Sequence, residues 1–223
     1  MKKMMLIVPA LHQGGFEKVC VATARLLQPY FQIQIVIFDS REIAYDIRGL
    51  EVIDLHLASR PGKFAKLWNV IRRACKIHQL KKKEGTDIAY SFGPTANIAN
   101  IVSGGKAEKW LGIRSYMDMD NRGQIKWFCK KADRVICCSE RICREVEEKY
   151  GCTRAVTLHN PFDMREIESL AGQEAAALPW EEGRILVSMG REDSVKGFWH
   201  LLKSFAIIHE ALPDTKLMII GQG

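Results

Sequence analysis

The sequence predicts an α/β fold built on a doubly wound parallel sheet, because strand and helix patterns alternate along the chain. Short apolar runs typical of buried strands recur, as in residues 4–8 and 32–38. Apolar residues at helical spacing follow the first of these runs, at Phe16, Val19 and Thr23. At 223 residues the chain is long for one domain and short for two complete ones.

The first domain is predicted to cover residues 1–163 and to contain a strand wherever an apolar run is bounded by turn or helix signals. These strands span residues 4–8, 32–38, 52–55, 86–91, 110–116, 134–138 and 156–158. Helices are predicted after the first strand, over the basic segment 63–83, over 124–132, and from a cap at Ser139 to Tyr150.

A second, shorter domain is predicted to follow a linker. Asn160-Pro161 closes the first domain, since proline blocks helix continuation and restricts the direction of the chain. Residues 164–183 are predicted to form the linker, with a short helix and turn within 172–183. Residues 184–223 then supply one strand–helix–strand unit, which buries too little apolar surface to be stable alone.

Composition indicates a protein of the cytoplasm with acidic partners. The longest apolar run is far below the ~18 residues that a membrane-spanning helix needs. The seven cysteines are scattered and contain no Cys-x-x-Cys pair, which fits reduced thiols and predicts no metal site. The formal net charge of +7 favours acidic partners, but no nucleic-acid-binding motif is present and aromatic residues do not interleave with the basic ones.

Part of this positive charge is concentrated between Lys63 and Lys83. One interpretation is a solvated face on a helix that covers the sheet, since lysine commonly fills helix surfaces. The other is contact with an anionic membrane leaflet, where each basic residue contributes roughly 1 kcal/mol. The second interpretation gives the protein a peripheral position at the inner face of a membrane.

Two basic residues are predicted to lie where a late strand leads into a helix. Arg191 falls in the loop after the apolar run 185–187, and Lys196 in the first turn of the helix, with Ser194 as its N-cap. A lysine there is unfavourable beside the positive end of the helix dipole unless an anion binds it. The loop is therefore either neutralised by its own acids, Glu192 and Asp193, or a cradle for phosphate.

The motifs of this unit resemble the C-terminal domain of GT-B glycosyltransferases, most closely the retaining family known as glycosyltransferase family 4. They are Gly190-Arg191, Lys196-Gly197, Leu201-Leu202-x-x-Phe205, Leu212-Pro213-Asp214 and Ile219-Ile220-Gly221. The resemblance implies two Rossmann-like domains and transfer of a sugar from a UDP- or GDP-sugar to a hydroxyl of a glycan or lipid-linked acceptor. It further implies retention at the anomeric carbon, and neither a metal ion nor a cofactor.

The same resemblance nominates the site residues. Arg191 and Lys196 would hold the donor diphosphate. Gly14-Gly15-x-Glu17-Lys18 resembles the Gly-Gly-x-Glu-Arg signature whose glycines face the sugar nucleotide. The alternative for the glycines is a tight turn that requires a positive φ.

Further residues are predicted to line the cleft. His12 and Asn160 follow the first and seventh strands, and Arg114 lies near the carboxyl end of the fifth. Ligands bind at the carboxyl ends of strands in open α/β sheets. An ordinary surface salt bridge is the alternative for Arg114. No catalytic residue is assigned, because Ser91-Phe92-Gly93 stands where many members of the family carry a histidine.

The end of the chain at Gly223 departs from the family pattern, which continues into a Glu-x7-Glu segment. The chain is therefore expected to be a C-terminally truncated, inactive or incomplete transferase. One alternative is a non-catalytic subunit or relic. Another is an NAD-dependent enzyme with Asp39 on the ribose, although only Gly14-Gly15 of the Gly-x-Gly-x-x-Gly pattern is present.

Overall fold

A computed structural model describes residues 1–59, 61–173, 180 and 182–221. The chain divides into two compact units, Met1–Met164 and Arg165–Gly223. The strands of the first unit are β1 Lys2–Val8, β2 Phe31–Ile37, β3 Glu51–Asp54, β4 Ile88–Phe92, β5 Glu108–Ile113, β6 Arg134–Cys137 and β7 Ala155–Thr157. Its helices are α1 Gly15–Leu27, α2 Lys63–Glu84, α3 Pro94–Ser103, α4 Arg122–Lys131 and α5 Glu140–Tyr150.

The seven strands of the first unit form one parallel sheet in the order β3-β2-β1-β4-β5-β6-β7. Alternate residues of β1 enter different cores: Met4 and Leu6 pack with α1, whereas Met5 and Ile7 pack on the other face. This division follows from the two-residue period of a strand, because both faces of the sheet are covered. The predicted doubly wound fold is confirmed.

The end of β5 differs from the prediction, which continued the strand to residue 116. The strand ends at Ile113, and a 3₁₀ helix begins at Tyr116. The Ser115 hydroxyl accepts from the amide of Asp118 at 3.3 Å, and the Asp118 carboxylate accepts from the amide of Ser115 at 3.0 Å. These reciprocal bonds form a capping box, which turns the chain out of the sheet.

Helix α3 was not predicted, because two asparagines interrupt its apolar pattern. Both side chains are buried, and their amides bond to strand carbonyls: Asn97 to Gly112 O at 2.9 Å and Asn100 to Ala89 O at 2.8 Å. A buried amide is tolerated when it is hydrogen-bonded. The asparagines therefore lie on the face of α3 that packs against the sheet.

The second unit contains α6 Met164–Ala171, β8 Arg184–Met189, α7 Phe198–Ala211 and β9 Thr215–Ile220. β8 and β9 pair in parallel, with Leu186 opposite Leu217, so α7 is the crossover of a βαβ unit. The helix predicted within 172–183 falls largely on residues 174–179 and 181, which lie outside the described residues. The helix that the structure shows, α6, comes before that segment.

One lysine of α2 is buried between α2 and α3. Lys81 is 4% exposed, and its ammonium group donates to Asn100 Oδ1 and Ser103 Oγ, each at 2.8 Å. Burial lowers the pKa of Lys81 to about 7, with a further lowering from Lys109 and a smaller opposing contribution from Asp133. The ordinary lysine pKa of about 10.4 applies in the unfolded chain.

This buried amine is expected to make stability depend on pH. Between the two pKa values the unfolded chain binds more protons, so the free energy of unfolding rises with pH. The free energy of unfolding, measured in urea titrations, should rise by about 1 kcal/mol from about pH 7.5 to about pH 8.5. Its limiting slope for one proton is about 1.36 kcal/mol per pH unit. Lys81→Met should remove this rise, whereas Lys82→Met, at an exposed position, should keep it. An unchanged slope in Lys81→Met would contradict the assignment.

Candidate functional site

The strand order of the first unit reverses between β1 and β4, so the connections from these neighbouring strands run to opposite sides. Ligands bind beside the carboxyl ends of the strands at such a switch point. Gly14 and Gly15 follow β1, Gly93 follows β4, and Arg114 follows β5. The topology therefore brings these predicted residues to one edge of the sheet.

Arg114 and Asn160, which are 46 positions apart in the chain, are in direct contact. Arg114 Nη1 donates to Asn160 Oδ1 at 2.8 Å, and Nη2 donates to the Tyr90 hydroxyl. The backbone of Arg114 is also held, because its amide donates to Asp118 Oδ2 at 2.8 Å and its carbonyl accepts from Cys138 Sγ at 3.1 Å. Asn160 Oδ1 and the Tyr90 hydroxyl are neutral oxygens, so these bonds orient the guanidinium without neutralising it.

Two aromatic rings of β4 support this arginine. Arg114 Cζ lies 5.0 Å from the centroid of the Phe92 ring and 5.5 Å from that of Tyr90, within the range of cation–π contacts. Tyr90 is 1% exposed, and burial raises its pKa to about 12, against an opposing effect of Arg114. Tyr90 is therefore a neutral phenol at physiological pH and acts as a hydrogen-bonding support.

Gly112 is a residue of this cluster that the sequence analysis missed. A Cβ at this position would lie 3.0 Å from Ser91 O and 3.2 Å from Arg114 Nε. Both contacts are tight, so glycine leaves the room in which the Arg114 side chain lies across β5. A lone glycine within a strand is the available sequence signal, since it often marks a close approach of other groups.

The Gly14-Gly15 turn is held by a tyrosine that the sequence analysis also missed. The Tyr45 hydroxyl accepts from the amide of Gly14 at 2.9 Å and donates to its carbonyl at 2.6 Å. Gly14 is extended (φ −168°), and neither glycine is among the described residues with positive φ. The turn therefore does not require glycine for its backbone angles. A Cβ on Gly14 would collide with the carboxyl group of Glu17, whereas the space beside Gly15 is open within 4 Å.

His12 and Asp39 both lie close to charged neighbours. His12 Nδ1 is 3.5 Å from Glu42 Oε2, and Arg41 binds the Asp39 carboxylate, with Nε at 2.7 Å and Nη2 at 2.6 Å. The hydrogen bonds from Arg41 lower the pKa of Asp39. Asp39 is thus already paired with a cation, which does not favour the ribose contact of the NAD alternative.

The loop after β8 differs in detail from its prediction. Lys196 belongs to a 3₁₀ turn, Ser194–Lys196, rather than to the first turn of α7, which begins at Phe198 after Gly197 in the left-handed region (φ 68°). The predicted cap at Ser194 is also wrong. Asp193 caps the 3₁₀ turn, and its carboxylate accepts from the amide of Val195 at 3.2 Å, because its side chain precedes the turn by one residue.

The side chains of Arg191 and Lys196 nevertheless project from the same loop. The aliphatic stem of Lys196 passes 3.4 Å from the position of a Cβ on Gly190, next to Arg191. Arg191 is 74% exposed, and its Nη2 lies 3.9 Å from Asp193 Oδ2, which is at the limit of an ion pair. Within the part of the chain that the structure describes, Lys196 forms no ion pair. The acids of the loop therefore leave most of this positive charge available.

A sequence model of Glycosyltransferase Family 4 matches residues 13–166, which include the glycine turn, the Arg114 cluster and Asn160. The chain belongs to this family. Among its curated relatives is N-acetylgalactosamine-N,N'-diacetylbacillosaminyl-diphospho-undecaprenol 4-alpha-N-acetylgalactosaminyltransferase from Campylobacter jejuni. It is 22% identical over 243 aligned positions, which cover 100% of this chain and 63% of the relative.

Solved structures with the same fold include two that hold nucleotides. The Anabaena protein Alr3699/HepE, in complex with UDP and glucose, has a TM-score of 0.71 at 13% identity over 100% of this chain and 62% of its own. The catalytic domain of starch synthase IV from Arabidopsis thaliana, bound to ADP and acarbose, has a TM-score of 0.72 at 10% identity over 99% of this chain and 68% of its own. At these identities the likeness concerns the fold.

This family 4 chain thus spans about three-fifths of the length of the Campylobacter and Anabaena proteins that it matches. Within the described residues, no helix combines the length and the apolar character that crossing a membrane requires.

Proposed function

We propose that this family 4 protein, in its active form, transfers a sugar from a nucleoside diphosphate-sugar to an acceptor hydroxyl. The observation that carries the proposal is the pair of cations, Arg191 and Lys196, which leave one loop beside the start of α7 with little neutralisation from its acids. The first N–H groups of a helix lack partners within it, so they add donors for an anion at the same place.

The chemistry of the proposed reaction explains why fixed positive charge is needed. When the glycosidic bond to the donor breaks, negative charge develops on the departing diphosphate. Arg191 and Lys196 would stabilise this charge as preorganised donors, without a metal ion. Gly14 and Gly15 are proposed to contact the donor along their backbone. The Gly14 amide already donates to the Tyr45 hydroxyl, so the N–H group for the donor would be that of Gly15, beside which the space is open. Retention at the anomeric carbon is part of the proposal.

We further propose a lipid-linked acceptor, in the biosynthesis of a glycan at the cytoplasmic face of a membrane. The name of the Campylobacter relative specifies a diphospho-undecaprenol substrate, which supports an acceptor of this class here. Arg114 is a candidate for contact with an anionic group of the substrate, because its charge is held by neutral oxygens at the carboxyl end of β5. His12 and Asn160 remain candidates for the same cleft.

The proposal can be tested on the 223-residue chain by nucleotide titration. At millimolar concentration, UDP or GDP is expected to shift the backbone amide NMR signals of Gly190, Arg191 and the first residues of α7, with weak affinity. NAD at the same concentration should leave these signals unchanged. Arg191→Ala should abolish the shifts, whereas Arg184→Ala, at an exposed position at the start of β8, should keep them. The proposal would be overturned if NAD alone shifted these signals, or if neither UDP nor GDP shifted them.

A further inference from the structure

Helix α2 has a second apolar face that the fold does not use. Its inner face packs on the sheet through the buried Ile77. On the opposite side, Phe64, Leu67, Trp68 and Ile71 are 91%, 61%, 61% and 41% exposed. We call these four residues the α2 stripe. An ordinary solvated helix surface is mostly polar. Here four large apolar side chains form one patch that is exposed to water, which is typical of an interaction surface.

The spacing of the α2 stripe makes it one continuous surface. Its members stand at positions i, i+3, i+4 and i+7, which lie on one side of an α-helix with 3.6 residues per turn. The buried residues Asn69, Arg73 and Ile77, at positions i, i+4 and i+8, lie on the other side of the helix axis. The α2 stripe is therefore a separate amphipathic surface and not an extension of the core.

The structure divides the basic residues of α2 into two groups. Arg73 and Lys76 bond to backbone carbonyls after β3, with Arg73 Nη2 2.6 Å from Leu57 O and Lys76 Nζ 2.7 Å from Leu55 O. Like the buried Lys81, these residues bond inward and are not available to a partner. Arg72 and Lys82 are instead exposed on the side of α2 that carries the α2 stripe, and α2 carries a single acid, Glu84, at its last residue. The charge that remains for a partner is therefore positive and lies beside apolar side chains.

We propose that the α2 stripe inserts into the headgroup region of an anionic lipid bilayer, with Arg72 and Lys82 contacting lipid phosphates. Helices that lie in a membrane interface combine aromatic and leucine side chains on one face with lysine and arginine beside them. Tryptophan favours the boundary between headgroups and acyl chains. The α2 stripe has both features, and its positive flank complements an anionic leaflet.

This inference extends the proposed function, because it names the surface by which the protein would reach a lipid-linked acceptor. It does not depend on the donor site. Loss of vesicle binding would leave nucleotide binding at Arg191 unaffected, and a failure of the nucleotide titration would leave vesicle binding unaffected. The two proposals can therefore fail separately.

The test is co-sedimentation of the chain with vesicles of phosphatidylcholine, with and without about one-third phosphatidylglycerol. The protein should bind the anionic vesicles at least tenfold more tightly than the neutral ones. The double variant Phe64→Ser/Trp68→Ser should bind at least tenfold more weakly. Changing Arg72 and Lys82 to glutamine should weaken binding by about fivefold per residue, the equivalent of a basic residue at an anionic surface.

A matched control removes apolar surface elsewhere. Leu26 and Tyr30, at the end of α1, are 56% and 70% exposed, and the double variant Leu26→Ser/Tyr30→Ser should bind as the unchanged protein does. Insertion should also shift the tryptophan emission to shorter wavelength with anionic vesicles. Trp68→Phe should lose part of this shift while it still binds, which places residue 68 in the membrane.

Three results would overturn the proposal. The first is the absence of binding to anionic vesicles by the unchanged protein. The second is equal binding by the Phe64→Ser/Trp68→Ser variant, with circular dichroism showing that this variant folds. The third is a dimer in analytical ultracentrifugation that the same variant converts to a monomer, since the α2 stripe would then be an interface between two copies of the chain.

Discussion

In an active form of this protein, replacing Arg191 with alanine is expected to lower kcat by about 10²–10³-fold. This range is typical for the loss of one preorganised donor to a developing anion. The fold should tolerate the change, because the side chain is 74% exposed and its ion pair with Asp193 spans 3.9 Å. Initial rates of sugar transfer at saturating donor, together with thermal unfolding, separate the two effects.

Arg184→Ala is the matched control for this experiment. It removes the same type of side chain at the start of β8, whereas Arg191 lies in the loop after the other end of that strand. Turnover should remain near that of the unchanged enzyme. If Arg191→Ala also kept near-normal turnover, the assignment of this loop to the leaving diphosphate would be rejected, and family membership would remain without a donor site.

The second large effect is expected at Arg114. Arg114→Met should lower kcat/KM by about 10- to 100-fold, since a hydrogen bond from a charged group contributes about 1.5–3 kcal/mol and about 1.4 kcal/mol corresponds to a tenfold change. Arg114→Lys should recover only part of the activity, because lysine cannot reproduce the two donors that reach Asn160 and Tyr90.

The control for Arg114 is Arg134→Met, which changes an exposed arginine at the amino end of the neighbouring strand β6. Steady-state rates should be measured with donor and acceptor varied separately, and urea unfolding should be recorded for each variant. If the role of Arg114 were purely structural, Arg114→Met would lower the free energy of unfolding and leave kcat/KM of the folded fraction unchanged. That outcome would remove Arg114 from the site.

The sheet of the first unit could be predicted closely because both of its faces are buried. Each strand then appears in the sequence as a short apolar run, as in residues 4–8 and 134–138. Helix α3 escaped prediction for the opposite reason. Its buried Asn97 and Asn100 look like loop residues in the sequence, and only their bonds to strand carbonyls explain their burial.

The candidate site was predictable in its separate parts but not in its contacts. The glycine turn, Arg114 and Asn160 each follow a strand, so their placement at one edge of a parallel sheet could be inferred from order alone. Nothing in the order indicates that Tyr45 would hold Gly14, or that Gly112 would make room for Arg114. In both contacts, the sequence around each residue contains no unusual pattern that would indicate its distant partner.

Residue order alone was enough to identify the doubly wound sheet and the resemblance to family 4, because both rest on local patterns along the chain. Only the folded structure shows which charged side chains of α2 are paired within the fold and which remain exposed. Arg73, Lys76 and Lys81 bond inward, whereas Arg72 and Lys82 remain exposed on the side of the α2 stripe. The physical reason is that side chains a few positions apart on one helix point in different directions, and distant strands and helices determine which of them find a partner.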